Sequence, residues 1–245
     1  MISKRLLSLL LALVMMFSLA ACGSSGRDDA DEKEETPDYN ALVDALEDAL
    51  QNPGLKSLGK ALGGTLAGDA AADYMKVYGM TSGMDEDDIA EAFLGSGRDV
   101  EVQDAETEDL DEEEIAFYQD RVDELAGELR ESIELCEGWS DAELVEWATY
   151  QKSGRAEADE KDVSVDEARK LRDDVVDAVQ ALLDAIDGAK IDAAQRVTIT
   201  FEDADGETIE IEGCFFLSDG KWFSDLLLHD LPGFEWDWYE NQINA

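Results

Sequence analysis

Histidine is almost missing from this chain: of its 245 residues, only His229 is one. A zinc centre built on several imidazoles is therefore excluded, and any Ser or Cys nucleophile has a single candidate imidazole base. Cysteine is nearly as scarce, confined to Cys22, Cys136 and Cys214, so no disulfide scaffold and no closely spaced metal knuckle is encoded. Basic residues are few as well: 19 Lys and Arg stand against 61 Asp and Glu, a net charge of −42. An excess of that size repels nucleic acid, phosphate-rich polymers and anionic lipid heads, and it attracts cations or basic partners. After Leu19, no apolar run approaches the ~20 residues needed to cross a bilayer.

The N-terminus carries the clearest pattern. Met1-Ile2-Ser3-Lys4-Arg5 is short and basic, and Leu6 to Leu19 is apolar except for Ser8 and Ser18. A basic start followed by a short apolar stretch is the layout of an export signal. Leu19-Ala20-Ala21-Cys22-Gly23 comes next and resembles the bacterial lipobox, in which a Leu and two small residues precede an acceptor Cys. The resemblance implies a diacylglyceryl group on the Cys22 sulfur and cleavage just before it, with residues 1–21 as the removed signal. Acyl chains contribute about 0.8 kcal/mol per buried CH2, so the expected protein sits on a membrane, outside the cytoplasm, without spanning it. Residues 22–36 mix Gly, Ser and charge without apolar periodicity, which predicts a flexible acidic tether. With Lys4 and Arg5 removed, 17 basic residues face 61 acidic ones, a mature net charge of −44.

Charge this high invites disorder, but five Trp, eight Phe and six Tyr with regular apolar spacing argue for a core. Residues 37–245 are expected to form one helix-rich α+β domain, its helices first and a small antiparallel sheet at about 195–228. Leu42, Leu46 and Leu50 share one face of a helix over Asp38–Leu50, stopped by Asn52-Pro53-Gly54. Leu55–Leu66 reads as a weaker helix loosened by Gly59, Gly63 and Gly64, and Asp69 as the N-cap of another over Ala70–Tyr78. Asp85–Leu94 predicts a helix with an acidic start, and Gly95–Asp109 a charged loop. The longest helix follows over Leu110–Cys136, with Ile115, Tyr118, Val122, Leu125, Leu129 and Ile133 at 3/4 spacing. Ser140 with Glu143, and Ser164 with Glu167, are capping-box pairs opening helices to about Lys152 and over Val165–Ile186, with Gly188 past the end of the second.

The period then changes to two. Val197, Ile199 and Phe201 alternate with polar residues, Asp203–Gly206 turns, and Ile209 and Ile211 alternate in turn, with Gly213 offering a bulge. Cys214–Leu217 continues the strand, Ser218-Asp219-Gly220 turns, and Lys221–Leu226 returns. The tail from His229 to Ala245, with Phe234, Trp236, Trp238 and Tyr239, is expected against the sheet. The segment Phe215-Phe216-Leu217-Ser218-Asp219-Gly220-Lys221-Trp222-Phe223 resembles the closing hairpin of NTF2-like, also called cystatin-like, domains. The resemblance covers roughly Ala194–Leu228. It implies helices followed by a curved antiparallel sheet, as in many Gram-positive envelope lipoproteins, and a fold that is often non-catalytic and sometimes holds a small molecule in its concave sheet.

Chemistry-bearing motifs are weak. Gly54–Ala61 falls short of a phosphate-binding loop because Ala61 stands where a magnesium-binding Ser or Thr belongs. Ser57-Leu58-Gly59-Lys60 matches Ser-x-x-Lys without its companion motifs. Asp85–Asp88 and Asp203/Asp205 crowd carboxylates but lack the calcium-loop spacing, and His229 beside Asp230 is a lone pair of titratable groups. No metal and no cofactor is expected. Cys136 and Cys214 are either a disulfide or two buried thiols. Trp139, Trp147 and Trp222 are expected in the core, and any ligand pocket between the concave sheet and the helices, at Ile211, Phe216 and Trp222. The expectation for function is a non-catalytic lipoprotein of the cell envelope, held to the membrane through Cys22, that binds a small molecule or a protein partner and no nucleic acid. An accessory envelope enzyme and a structural or assembly factor without a cavity are the alternatives.

Overall fold

The structure is a computed structural model that describes residues 39–82, 84–152 and 163–229. The expected signal, lipidated Cys22, tether and aromatic tail beyond His229 lie outside the described residues. Helices α1 (Tyr39–Gln51), α2 (Leu55–Ser82) and α3 (Glu86–Leu94) come first, then strand β1 (Val100–Asp109). Helices α4 (Glu112–Gly138), α5 (Asp141–Lys152) and α6 (Val165–Ile186) follow, then strands β2 (Ala193–Asp203), β3 (Thr208–Ser218) and β4 (Lys221–Ser224), and a last turn of helix, α7 (Leu226–His229). The strands form one antiparallel sheet in the order β1-β2-β3-β4. The fold is α+β, as the two periodicities of the sequence imply.

Strand alternation sorts the sheet into two faces with different covers. Val197, Ile199, Phe201, Phe215, Leu217 and Trp222 join Val100 in one cluster beneath Leu42, Val43, Leu46 and Ala49 of α1. Ala194, Cys214, Phe216 and Phe223 point the other way, into the larger core formed by α2 and α4–α6. In the larger core, Trp147 is fully buried, with Trp139 tilted against it at 5.5 Å, and Leu144, Leu182 and Ile186 fill its centre. Trp222, 6% exposed, packs instead at 5.1 Å from Phe215 under α1.

Helix α2 departs from the sequence reading. Asp69 is not an N-cap but lies inside the helix; the break falls earlier, at Gly64, whose backbone is not helical (φ 54°, ψ −134°). Gly64 folds α2 into two arms that touch through their smallest residues: a Cβ on Gly59 would lie 2.4 Å from the Gly68 carbonyl oxygen and 2.7 Å from the Ala72 Cβ. The glycines that loosen the helix in isolation are what allow its arms to meet. The bend straddles the β4 edge of the sheet, with Ala61 in the α1-covered cluster and Leu62 in the larger core. The Trp222 N–H donates to Thr65 Oγ1 at 2.9 Å, and the Ser224 hydroxyl lies 2.8 and 3.0 Å from the Ala61 and Leu62 carbonyls, so this edge is closed by α2.

The opposite edge is a second correction. The stretch expected as a charged loop contains β1, paired with β2 from Val100↔Asp203 to Asp109↔Gln195. The register shifts between Val102 and Asp104, which puts the sheet's irregularity at Gln103; at Gly213, where a bulge was expected, β2 and β3 pair without interruption. The absent Gly213 side chain serves another end, since a Cβ there would lie 3.3 Å from Asp225 Oδ1. Capping boxes close the starts of α4, at Asp111 with Glu114, and of α6, at Ser164 with Glu167. Gly188, past the end of α6, has the positive φ of 73° expected there.

Candidate functional site

Chemistry-bearing groups gather in two places, both on the face of the sheet opposite α1. The first lies where the inner end of β3 meets α4. The Cys214 thiol and the Tyr118 hydroxyl are 3.3 Å apart, and the Tyr118 ring packs on Phe216 at 4.8 Å and edge-on to His229 at 6.3 Å. The Asp225 N–H donates to the Cys214 carbonyl at 3.0 Å. Burial pushes the Cys214 thiol up to about 12, and the Asp225 charge adds to the rise. Burial also drives the Tyr118 hydroxyl far above its ordinary range, helped by its hydrogen bond to Cys214. His229 is pulled down by burial first and by the Arg121 guanidinium second. At neutral pH the thiol and the phenol both keep their protons. A thiol attacks as its thiolate, so this arrangement suits a polar seam in the core better than an activated nucleophile.

Cys136, at the far end of α4, is fully buried, and burial drives its thiol up too. Of the two states the sequence leaves open for Cys136 and Cys214, the structure has both free and buried, with no bond between them.

The second place lies further out on the same face, where the helix cover ends at Arg196. Successive positions there are Glu108–Arg196–Cys214, Glu106–Thr198–Glu212 and Asp104–Thr200–Glu210 across β1, β2 and β3. Arg196 is the cation of this face. Its guanidinium reaches Glu114 of α4 at 2.6 Å, Glu108 of β1 at 3.4 Å and Glu212 of β3 at 3.8 Å. The next two positions on β2 are Thr198 and Thr200, half-buried and neutral, while Glu106, Asp104, Glu210 and Glu212 beside them are exposed. In effect β2 carries its one guanidinium at the helical end and leaves the rows beyond it with carboxylates on both flanks.

The expected pocket is not assembled. Ile211 pairs with Ile199 and Trp222 with Leu217, on the face under α1, whereas Phe216 points to the opposite face. Ile211 and Phe216 are five residues apart on one regular strand, an odd separation that must divide them between faces. Trp222 and Phe216 are filled over by helices and belong to the two cores. The weaker motifs also resolve into structure. The Ser57 hydroxyl donates to the Asn52 and Gly54 carbonyls at the start of α2, at 2.8 and 3.0 Å, which turns it away from Lys60 chemistry. Asp85 caps α3 through the Asp88 N–H, and Asp203 holds the β2–β3 turn by accepting from the Asp205 and Glu207 N–H groups. Among the described residues, no group of three or more His, Cys, Asp or Glu is arranged to hold a metal ion.

The Arg196 centre is hidden in the sequence as long as residues 100–109 read as a loop, because Glu108 then has no fixed place beside β2. The signal is there: Val100 and Val102 alternate with acids, and Arg196 is the lone cation among Ala194, Thr198, Thr200 and Glu202 on that face of β2. No family model, no curated protein and no solved structure matches this chain.

Proposed function

We propose that the chain is a lipid-anchored, extracytoplasmic protein of the bacterial envelope that acts by contact with a protein partner rather than by catalysis. The observation that carries this reading is Leu19-Ala20-Ala21-Cys22 at the end of an export-type leader, ahead of an acidic tether and a folded unit. The likeness to NTF2-like domains rests on the hairpin 215–223 and contributes the expectation of a non-catalytic scaffold. Two further features favour a surface role over a small-molecule pocket. The residues proposed to line a cavity are divided between two filled cores, and the outer sheet face leaves Asp104, Glu106, Glu210 and Glu212 open to solvent. The accessory-enzyme alternative has weak support, because its best thiol is buried and protonated.

Anchoring is tested by fractionation. The native chain should sediment with membranes and incorporate radiolabelled palmitate, and Cys22→Ala should appear unlabelled in the soluble fraction. Equal labelling of the variant, or membrane retention after the change, would rule out Cys22 as the anchor.

A further inference from the structure

The two edges of the sheet are treated differently. Along β4, which pairs with Phe215–Ser218 of β3, the edge is closed by the α2 bend through Thr65, Ala61 and Leu62. The β1 edge has no strand paired to its outer side among the described residues, and from Glu101 to Asp109 its residues are exposed or half-exposed. At its first carbonyl, Gln51 Nε2 donates to the Val100 oxygen at 2.7 Å. The Ala105 N–H uses the adjacent Asp104 carboxylate, 2.9 Å away, as its acceptor. A strand of this length with a free side is a template for another strand.

The side chains of β1 determine what that strand can be. On one face Glu101, Asp104, Glu106 and Glu108 project; on the other, Val102 and Ala105 pack half-buried against the α1-covered cluster and Thr107 is exposed, a small, partly apolar margin. A second copy of this chain would lay carboxylates beside carboxylates, which is destabilising for directly neighbouring like charges. A strand with basic residues on one face and small β-branched residues on the other would satisfy both. Arg196 shows the basic half of that match within the protein itself: a guanidinium on β2, held by Glu108 on one neighbouring strand and Glu212 on the other.

We propose that the exposed edge of β1 receives an extended, basic segment of a partner protein, alternating Lys or Arg with Val or Thr, which adds to the sheet as a fifth strand beside β1. The backbone of Glu101–Asp109 supplies the pairing, and the acidic row selects the charge. This deepens the proposed binding role by naming the class of partner, and it rests on that role.

The test uses the full-length chain and a fluorescent peptide as long as β1 that alternates lysine with valine or threonine, followed by anisotropy at low salt. The expected result is saturable binding, at least about tenfold tighter than for a peptide of the same composition with its lysines in one block. N-methylation of alternate peptide amides should remove the difference by blocking strand pairing. Asp104→Lys with Glu106→Lys should weaken binding by about tenfold or more, whereas Asp177→Lys with Asp184→Lys on α6, the same change in net charge, should leave it within about twofold. On binding, amide exchange should slow within Glu101–Asp109. No binding, equal binding of the block or N-methylated peptide, or equal loss in the α6 variant would each overturn the proposal. The Cys22 fractionation is independent: a chain that follows the membrane yet ignores the peptide refutes the β1 edge and leaves the anchor standing.

Discussion

Gly64 shows how much a single residue can carry. Its φ of 54° with ψ of −134° is a conformation that side-chain-bearing residues avoid, and a Cβ there would lie 2.2 Å from the Trp222 carbonyl oxygen and 2.3 Å from its indole ring. Gly64→Ala therefore meets both backbone strain and overpacking, each worth about 1–3 kcal/mol. A loss of at least about 2 kcal/mol is expected in urea unfolding; a loss under about 0.5 kcal/mol would show that the α2 bend is not locked on β4. The buried thiols make a second case. Cys214 is pushed up to about 12 by burial, and burial raises Cys136, Tyr74 and Tyr118 as well. In each, the unfolded chain loses its proton first, so the contribution of these groups is level below their unfolded values, near 8.5 for the thiols and near 10 for the phenols, and falls as pH rises above them. Each fully buried thiol steepens that fall by about 1.4 kcal/mol per pH unit until its folded value is reached. Cys136→Ala with Cys214→Ala should flatten the decline between pH 9 and 10, read by urea unfolding across pH, and in the native chain iodoacetamide at pH 8 should leave both thiols unmodified. Rapid native alkylation of either would contradict its burial.

At the level of elements, α6 was fully legible. Its capping box, apolar stripe and terminal Gly188 all appear in the sequence, and Ala168, Leu171, Val175, Ala178, Leu182 and Ile186 are buried. Ser164→Ala should cost about 1 kcal/mol, because the hydroxyl that accepts from the Glu167 N–H is lost; an unchanged midpoint in urea would mean that the start of α6 frays without consequence. Legibility failed where a segment's reason lies in its neighbours. The glycines of α2 lower helix propensity locally, but the Gly59–Gly68 approach that needs them is visible only once the arms meet. Strand β1 was hidden by its composition, since acids are poor strand formers and only Val100 is buried there; its partner β2 lies beyond three intervening helices. The pocket assignment failed for a simpler reason. Ile211, Phe216 and Trp222 are all apolar residues of the closing strands, but alternation along β3 puts Ile211 and Phe216 on opposite faces.

Across the whole molecule, charge is the dominant constraint, and it pulls stability and recognition in opposite directions. With a net charge of −42, the folded chain holds its carboxylates closer together than the unfolded one does, and the repulsion opposes folding. The ion pairs that answer it, such as Arg169–Asp141, Lys76–Glu86 and Arg196–Glu114, are exposed or partly exposed, and such pairs typically contribute about 0.2–1 kcal/mol each. Salt weakens both the repulsion and the pairs, but carboxylates outnumber cations about threefold, so relief of repulsion should win. Raising NaCl from about 0.01 M to 0.15 M shortens the screening length from about 30 Å to 8 Å, and Tm should rise across that range. The same screening should weaken the basic peptide at β1, because that contact is attractive. Opposite signs from one titrant separate the two effects: a general tightening of the fold cannot imitate loss of the peptide, and general denaturation cannot imitate a higher Tm. A Tm that falls with NaCl would mean that the ion pairs outweigh the acidic excess, and an affinity indifferent to NaCl would mean that the acidic row of β1 does not select its partner.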